Sequence, residues 1–386
     1  MDFELPEELR MFRESLRRFV NNELIPVERD TVNAEGEEVK PEYLGKFRQR
    51  AKDLGIWMME VPEEYGGAGL SLVQRTVVTE ELSRTIALPA RGEGITGPSV
   101  RHILYQLTGE LKEKYLMPVL RGEKKAAFAQ TEPDAGSDPG GMRTTAVRDG
   151  DHYVINGTKR FITGANKADF LQLMAATDRA KGSHGGISCF LVDMDTPGVK
   201  LGTSYQTMMG DRPWEIVLDN VRVPVTHRIG EEGGGFKLAQ KWLGAGRVKH
   251  GARALGVAER MLEMSTSYAK QRSTFGRPLS DRQATQWKLA DMYIDLQAAR
   301  LLVYRAASRL DNGEDAREDC YVCKYYADEM AFRAADHCMQ IHGGIALTTD
   351  LPIEKFWRQQ RSYRITEGAS EVMKMVIARH VLKAYG

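Results

Sequence analysis

Near the C-terminus, the segment YRITEGASEVMKMVIARHVL holds two carboxylates four residues apart. They are Glu367 and Glu371, and Gly368 directly follows the first. A glutamate has an ordinary pKa of about 4.3, far below that of a C–H acid. It can take a proton from carbon only where the site stabilises the negative charge that develops. The same residues also fit the start of a helix. An acid in a first turn meets the positive end of the helix dipole, and Val372, Met375 and Val376 fall at helical spacing on the expected buried side. Taken locally, Glu367 leans towards helix-start chemistry.

Other stretches combine groups that bind flat or anionic ligands. FAQTEPDAGSD, Phe128 to Asp138, sets the hydroxyls of Thr131 and Ser137 and the small Ala135 and Gly136 around a Pro-Asp turn. Such loops expose backbone N–H groups to an anion or a polar ring, and they also form plain Asx-type turns. In KRFITGA, alternation along a strand puts Phe161 and Thr163 on one face. An aromatic with a hydroxyl two residues on could cover a ring system, or belong to an ordinary half-buried strand. KQRSTFGRPLSDRQ gathers four basic residues around a Phe-Gly turn, readable as a solvated loop or as a phosphate clamp. In MQIHGGIAL one glycine fits a helix C-cap; the second suggests close approach of a backbone or ligand. His342 beside the pair reads as a satisfied histidine. Cys320 and Cys323 form one CxxC without a second ligand pair at zinc spacing, so they read as packed core thiols.

Three kinds of texture must position these groups. Residues 1–122 read as helices: Leu9, Phe12, Leu16, Phe19 and Val20 recur at spacings of three and four. Residues 123–235 are β-like, with short β-branched runs and an Asn156-Gly157 pair that signals a hairpin. Residues 236–386 return to helical patterning in stretches longer than an average helix, as in an antiparallel bundle. This order lacks βαβ alternation, and no GxGxxG follows a strand. The 386 residues carry 28% charged and 42% apolar side chains at a net charge of +1. That balance is globular and gives no bulk attraction to nucleic acid or an anionic membrane. With no long apolar run and a charged N-terminus, the expectation is a soluble, cytoplasmic protein.

The loop TEPDAGSD, the strand FITGA, the turn RSTFGRPL, the pair QIHGG and the terminal EGASE occur in this order over the whole chain. Together they resemble the acyl-CoA dehydrogenase family of flavoproteins. The resemblance implies a mainly α protein: an N-terminal helical domain, a middle β-barrel or sandwich and a C-terminal four-helix bundle, assembled as a dimer or tetramer. It also implies FAD between the β domain and the bundle, completed by a neighbouring subunit. Carried over, the backbone of Phe128, Gln130 and Thr131 would meet the isoalloxazine. Phe161 would cover one face, where many relatives use Trp, and Thr163 would reach N5. Gly136 and Ser137 would lie at the phosphate side, Ser137 also near CoA. Arg272, Thr274, Phe275 and Gln283, with Gln340, Gly343 and Gly344, would serve the FAD of the partner copy. Ala369 and Glu371 match positions at the adenine half.

The implied reaction is α,β-dehydrogenation of an acyl-CoA, with electrons passed to electron-transferring flavoprotein. Glu367 would be the α-proton base, and Gly368 and Arg247 would contact the thioester and CoA. The family's alternative base position matches Gly246 in WLGAGR, which carries no acid. An acid common three residues before the matching arginine is replaced by Gly244. Arg91 and Glu93, in the expected acyl-tail segment, lie at the surface or meet a polar tail. An oxidase, a desulfinase, a monooxygenase-like relative or a flavin-carrying binding protein would share the fold. No metal is implied.

Overall fold

The computed structural model describes residues 4–33, 36, 38–90 and 94–385, without the side chains of Lys241 and Trp242. Arg91 and Glu93 lie outside the described residues. The chain divides into two compact units. One comprises residues 1–90, 94–96 and 244–386; the other comprises 91–93 and 97–243.

The first unit is helical. Its helices are α1 (Glu7–Phe19), α2 (Pro41–Asp53), α3 (Leu72–Leu82), most of α4 (Gly235–Gln271), α5 (Gln283–Asp311), α6 (Arg317–His342), α7 (Ile353–Tyr363) and α8 (Ser370–Ala384). The predicted α1 stripe buries Leu16, Phe19 and Val20 against Phe47 and Ala51 of α2 and Val77 and Val78 of α3. Ser71 and Gln74 form a reciprocal cap at the start of α3. A second core joins Val248, Leu255 and Met261 of α4 to Leu296 and Val303 of α5 and to Cys320, Cys323, Ala331 and Cys338 of α6. The cysteines are therefore core thiols, as read from the spacing. Burial pushes Cys320 up to about 11 and Cys338 up to about 12. Charges tie the N-terminal helices to α4 and α5: Arg17 pairs with buried Glu81 and with Glu259 of α4, each at 2.8 Å, and buried Glu80 pairs with Arg300 of α5 at 2.7 Å. Gly256 allows this closeness, since a Cβ there would lie 2.0 Å from the Glu80 carbonyl oxygen.

The second unit is built on one mixed sheet of β1 (Ala126–Ala129), β2 (Thr145–Asp149), β3 (His152–Ile162), β4 (Phe170–Ala176), β5 (Ile187–Asp193), β6 (Val199–Ser204), β7 (Trp214–Pro224) and β8 (Arg228–Ile229). The order is β6-β7-β3-β2-β4-β5-β8, with β1 parallel to β4. Every residue of β4 is buried, the pattern of a strand covered on both faces. Short helical turns before β1 pack on the sheet, where Tyr115 meets Phe170 edge-on and donates to Asp193.

The Asn156-Gly157 hairpin does not form. β3 runs straight through it, with a bulge against β7 between Ile155 and Gly157. The Asn156 side chain accepts from the Asn220 amide at 2.8 Å, and Gly157 admits Thr144, whose Cα would lie 2.6 Å from a Cβ. The true hairpin is at Gly150-Asp151, joining β2 to β3 with Asp149 opposite His152. Both dipeptides carry turn chemistry; pairing with β7 decides between them.

Candidate active site

Glu367 sits on a six-residue turn between α7 and α8. Its φ is +54°, and that of Gly368 is +105°. A left-handed non-glycine backbone costs free energy and persists only where the surroundings enforce it. The enforcement is visible. Buried Lys324 of α6 donates to the carbonyls of Tyr363 at 3.1 Å and Gly368 at 3.0 Å, and pairs with buried Asp328 at 2.9 Å. Glu329 accepts from Arg364 at 2.8 Å and from Ser370 at 2.6 Å. The turn is thus tied at both ends to one helix. Burial opposes the Glu329 charge, yet the bonds from Arg364 and Ser370 hold its carboxyl below the ordinary range.

The Glu367 side chain is 43% exposed and points towards α4, where His250 Nε2 lies 3.3 Å from Oε2. A Cβ on Gly246 would lie 3.6 Å from the same oxygen. The Gly246 position therefore converges on the carboxylate of Glu367. One residue on, the Arg247 guanidinium lies 4.1 Å from the Tyr321 ring centroid. Gly244 faces Cys320 and Leu310. Ala369 caps α8, and Glu371 stands exposed in its first turn. The buried side of α8 is not the expected one. Met373 is buried and Met375 is 45% exposed, because the tight turn rotates the helix so that Met373 packs under Gly368.

In the sheet unit, β1 leads into the 130–138 loop. Lys159, wholly buried on β3, donates to the Gln130 carbonyl at 3.1 Å and to Glu132 at 2.7 Å. Glu132 also accepts from the amides of Arg143 and Thr144, and the Thr131 carbonyl accepts from the Arg160 amide at 2.8 Å. Burial pushes the Lys159 ammonium down to about 8, although Glu132 pulls it the other way. Phe128 and Thr131 are half-buried and Gly136 and Ser137 exposed. Phe161 and Thr163 are not two steps of one regular strand. β3 bulges between Lys159 and Ile162 and ends at Ile162, and Phe161 has φ +59°. Its ring is 54% exposed and meets Tyr205 in a T-shaped contact at 5.1 Å. A strained, uncovered aromatic beside a loop braced from within fits a planar cofactor such as a flavin.

Back in the helical unit, Phe275 tips a hairpin of β9 (Ser273–Thr274) and β10 (Arg277–Pro278) with φ +47° and 98% exposure. Arg282 braces it through the Thr274 and Phe275 carbonyls. Arg272 precedes the hairpin and Gln283 opens α5. Gln340, Gly343 and Gly344 are exposed at the end of α6. Buried His342 is a satisfied histidine: its Nδ1 bonds the Cys338 carbonyl at 2.9 Å and its ring stacks on Tyr268. These residues are remote from Glu367 within one chain. Gly246 and Gln271 are 25 residues apart on the single helix α4, about 37 Å at 1.5 Å per residue. Among the described residues no group of three or more His, Cys, Asp or Glu side chains could hold a metal ion, and no helix is long and apolar enough to cross a membrane.

Sequence reasoning missed Lys324, Asp328, Glu329 and His250, and the Lys159–Glu132 pair. One signal was available: Lys324 shares the buried stripe of α6 with Cys320, Cys323 and Ala327.

Family models match in three segments: the N-terminal domain of acyl-CoA dehydrogenase at residues 6–123, the middle domain at 127–221 and the C-terminal domain at 233–382. The chain is 41% identical to a 3-(aryl)acrylate reductase of Clostridium sporogenes, over 98% of this chain and 99% of that protein. It is 38% identical to the caffeyl-CoA reductase–Etf complex subunit CarC of Acetobacterium woodii, over 98% and 99%. Among solved structures it is similar to butyryl-CoA dehydrogenase from Megasphaera elsdenii, with TM-score 0.82 and 33% identity over 99% and 100% of the two chains. It is also similar to an FAD complex of PigA, with TM-score 0.87 and 29% identity over 100% of each. With the helical–sheet–helical order, these matches place the chain in the acyl-CoA dehydrogenase family of flavoproteins, as an FAD-binding oxidoreductase that acts on an acyl-CoA-like substrate.

Proposed function

We propose that the protein moves two hydrogens across the Cα–Cβ bond of a CoA thioester, with Glu367 handling the proton at Cα, and that it works towards reduction of the 2-enoyl thioester. The observation that carries the reading is the convergence of Glu367 and the Gly246 position on one point, with an acid at one and none at the other. The two reductases among the relatives support the reductive direction. The dehydrogenation expected from the motifs is the same chemistry run backwards, and butyryl-CoA dehydrogenase among the similar structures keeps it as the second reading.

FAD, when bound, supplies the two-electron chemistry at Cβ. The chain's own residues do the rest. In the reductive direction, protonated Glu367 delivers a proton to Cα; in the oxidative direction its carboxylate removes one. The Lys324 and Glu329 ties hold the turn, so the carboxyl is pre-oriented rather than searching. Arg247 supplies positive charge for CoA. The braced Gln130–Thr131 loop, Phe161, Thr163 and Ser137 orient the cofactor. Arg272, Thr274, Phe275 and Gln283, with Gln340, Gly343 and Gly344, serve the cofactor of a second copy. The length of α4 and the bare Phe275 ring support that homo-oligomer. An electron-transferring flavoprotein is the proposed redox partner.

The test is an anaerobic titration of the yellow holoenzyme with saturated acyl-CoAs, and of the reduced holoenzyme with the matching 2-enoyl-CoAs, including aryl-substituted ones. Faster reoxidation by an enoyl thioester than bleaching by its saturated partner is the expected result. Glu367→Gln is expected to keep FAD and thioester binding and slow both half-reactions to a small residual rate. No spectral change with any thioester refutes the reading.

A further inference from the structure

His250 is 2% exposed, and among the described residues neither ring nitrogen makes a hydrogen bond. Buried polar groups without partners are rare and disfavour folding, so a retained one calls for an explanation. Its surroundings are specific. Among the described residues, Glu367 is the one acid within ion-pair distance of it, at 3.3 Å from Nε2. The Tyr363 ring meets the imidazole edge-on at 5.0 Å, and the Tyr363 carbonyl is held by Lys324. The neighbouring cations are turned elsewhere: Lys249 pairs with Glu60, and Arg247 lies over Tyr321. Arg253 approaches the ring of Tyr363 at 6.0 Å. His250 follows Gly246 by four residues, so both occupy one face of α4. Gly246 leaves room for the carboxylate, and His250 presents a nitrogen to it.

We propose that His250 is a positioning residue for Glu367. In the tautomer carrying hydrogen on Nε2, it donates to Oε2 after a small rotation of the carboxyl. That bond selects one rotamer of a side chain whose backbone is already fixed. The imidazole takes no part in proton transfer to substrate; it acts through Glu367. The inference rests on the assignment of Glu367 in the proposed function.

The experiment compares wild-type holoenzyme with His250→Phe, which fills the space without a donor, and His250→Gln, whose amide nitrogen reaches close to Nε2. Each is also made in a Glu367→Gln background. FAD content, melting temperature, thioester dissociation constant and the single-turnover rate of the faster half-reaction are read for each. The probe is the thioester that acts best on the wild type. His250→Phe is expected to slow the single turnover by roughly 10–100-fold, the scale of a misplaced reacting group. FAD content and thioester affinity should stay within about twofold, because a role confined to orientation spares binding. His250→Gln should recover most of the rate. In the Glu367→Gln background, His250→Phe should add nothing, since coupled residues are non-additive. A His250→Phe rate within about twofold of wild type overturns the proposal, on the same scale. So does a His250→Gln as slow as His250→Phe, or further slowing in the Glu367→Gln background. Wild-type turnover by Glu367→Gln alone would instead refute the base assignment, a separate failure.

Discussion

Lys324→Met is the most demanding test of how the turn carrying Glu367 is held. Lys324 is buried and has three partners: Asp328 at 2.9 Å, the Gly368 carbonyl at 3.0 Å and the Tyr363 carbonyl at 3.1 Å. Methionine fills much of the same space but leaves the Asp328 carboxylate buried without its cation. Breaking a buried pair from one side costs about 3–5 kcal/mol. The two carbonyls, each losing a donor, add about 1 kcal/mol apiece or more. The sum is a large fraction of a typical folding stability of about 5–15 kcal/mol, so the single variant is expected to be poorly folded. The double variant Lys324→Met/Asp328→Leu separates the two effects. Replacing both members of a buried pair by apolar groups is often close to neutral. Its denaturation midpoint should therefore return most of the way to wild type. Both carbonyls lose the Lys324 donor, so the turn loosens and single-turnover flavin chemistry should stay at least about 10-fold slow. Urea denaturation and stopped-flow absorbance on the same preparations provide the two readings. If the double variant recovers stability and rate together, the clamp is structural filler and the positioning argument fails.

Three further outcomes follow from the geometry. Because a Cβ at 246 points at the Glu367 carboxylate from 3.6 Å, Gly246→Glu in a Glu367→Gly background is expected to restore part of the activity that Glu367→Gly loses. No gain in single-turnover rate would show that the two positions do not share a target. Glu60, ordinarily at 4.5, is held down to about 2, chiefly by the Lys249 charge against the cost of burial. A carboxyl lowered on folding stabilises above its unfolded value and loses that stabilisation as the pH falls from about 4.5 to about 2. More than a third of this side chain is exposed, so solvent screening limits the pair to about 1 kcal/mol or less. Glu60→Gln should accordingly melt slightly below wild type at pH 6, with the gap shrinking as the pH falls towards 2; an unchanged gap at acid pH refutes the assignment. Phe275→Ser removes a ring that is 98% exposed, so it should leave monomer stability within about 0.5 kcal/mol while lowering FAD retention or the oligomeric state. Unchanged FAD content and size-exclusion behaviour would remove Phe275 from the cofactor site.

The helical stripes, the β-branched runs and the order of five motifs were legible in the chain, because period and turn chemistry are local properties. Those features were enough for the fold class and the flavin cofactor, and they motivated the proposal of Glu367 over Gly246. Locally ambiguous features were not decided in this way. Asn156-Gly157 and Gly150-Asp151 both look like turns, and pairing with β7 turns the first into a bulge. The alternation expected of Phe161 and Thr163 fails at a bulge that no short-range rule locates. Lys324, Asp328 and His250 stand 43, 39 and 117 residues before Glu367, and spacing along the chain carries no sign of the contacts they make. Burial decides their worth: a lysine or an imidazole matters to a carboxylate only when packing removes the water that would otherwise screen it. The sequence by itself put an acid at 367 and a glycine at 246. Only the tertiary structure decided what holds Glu367 in a left-handed turn, and which buried nitrogen faces its carboxylate.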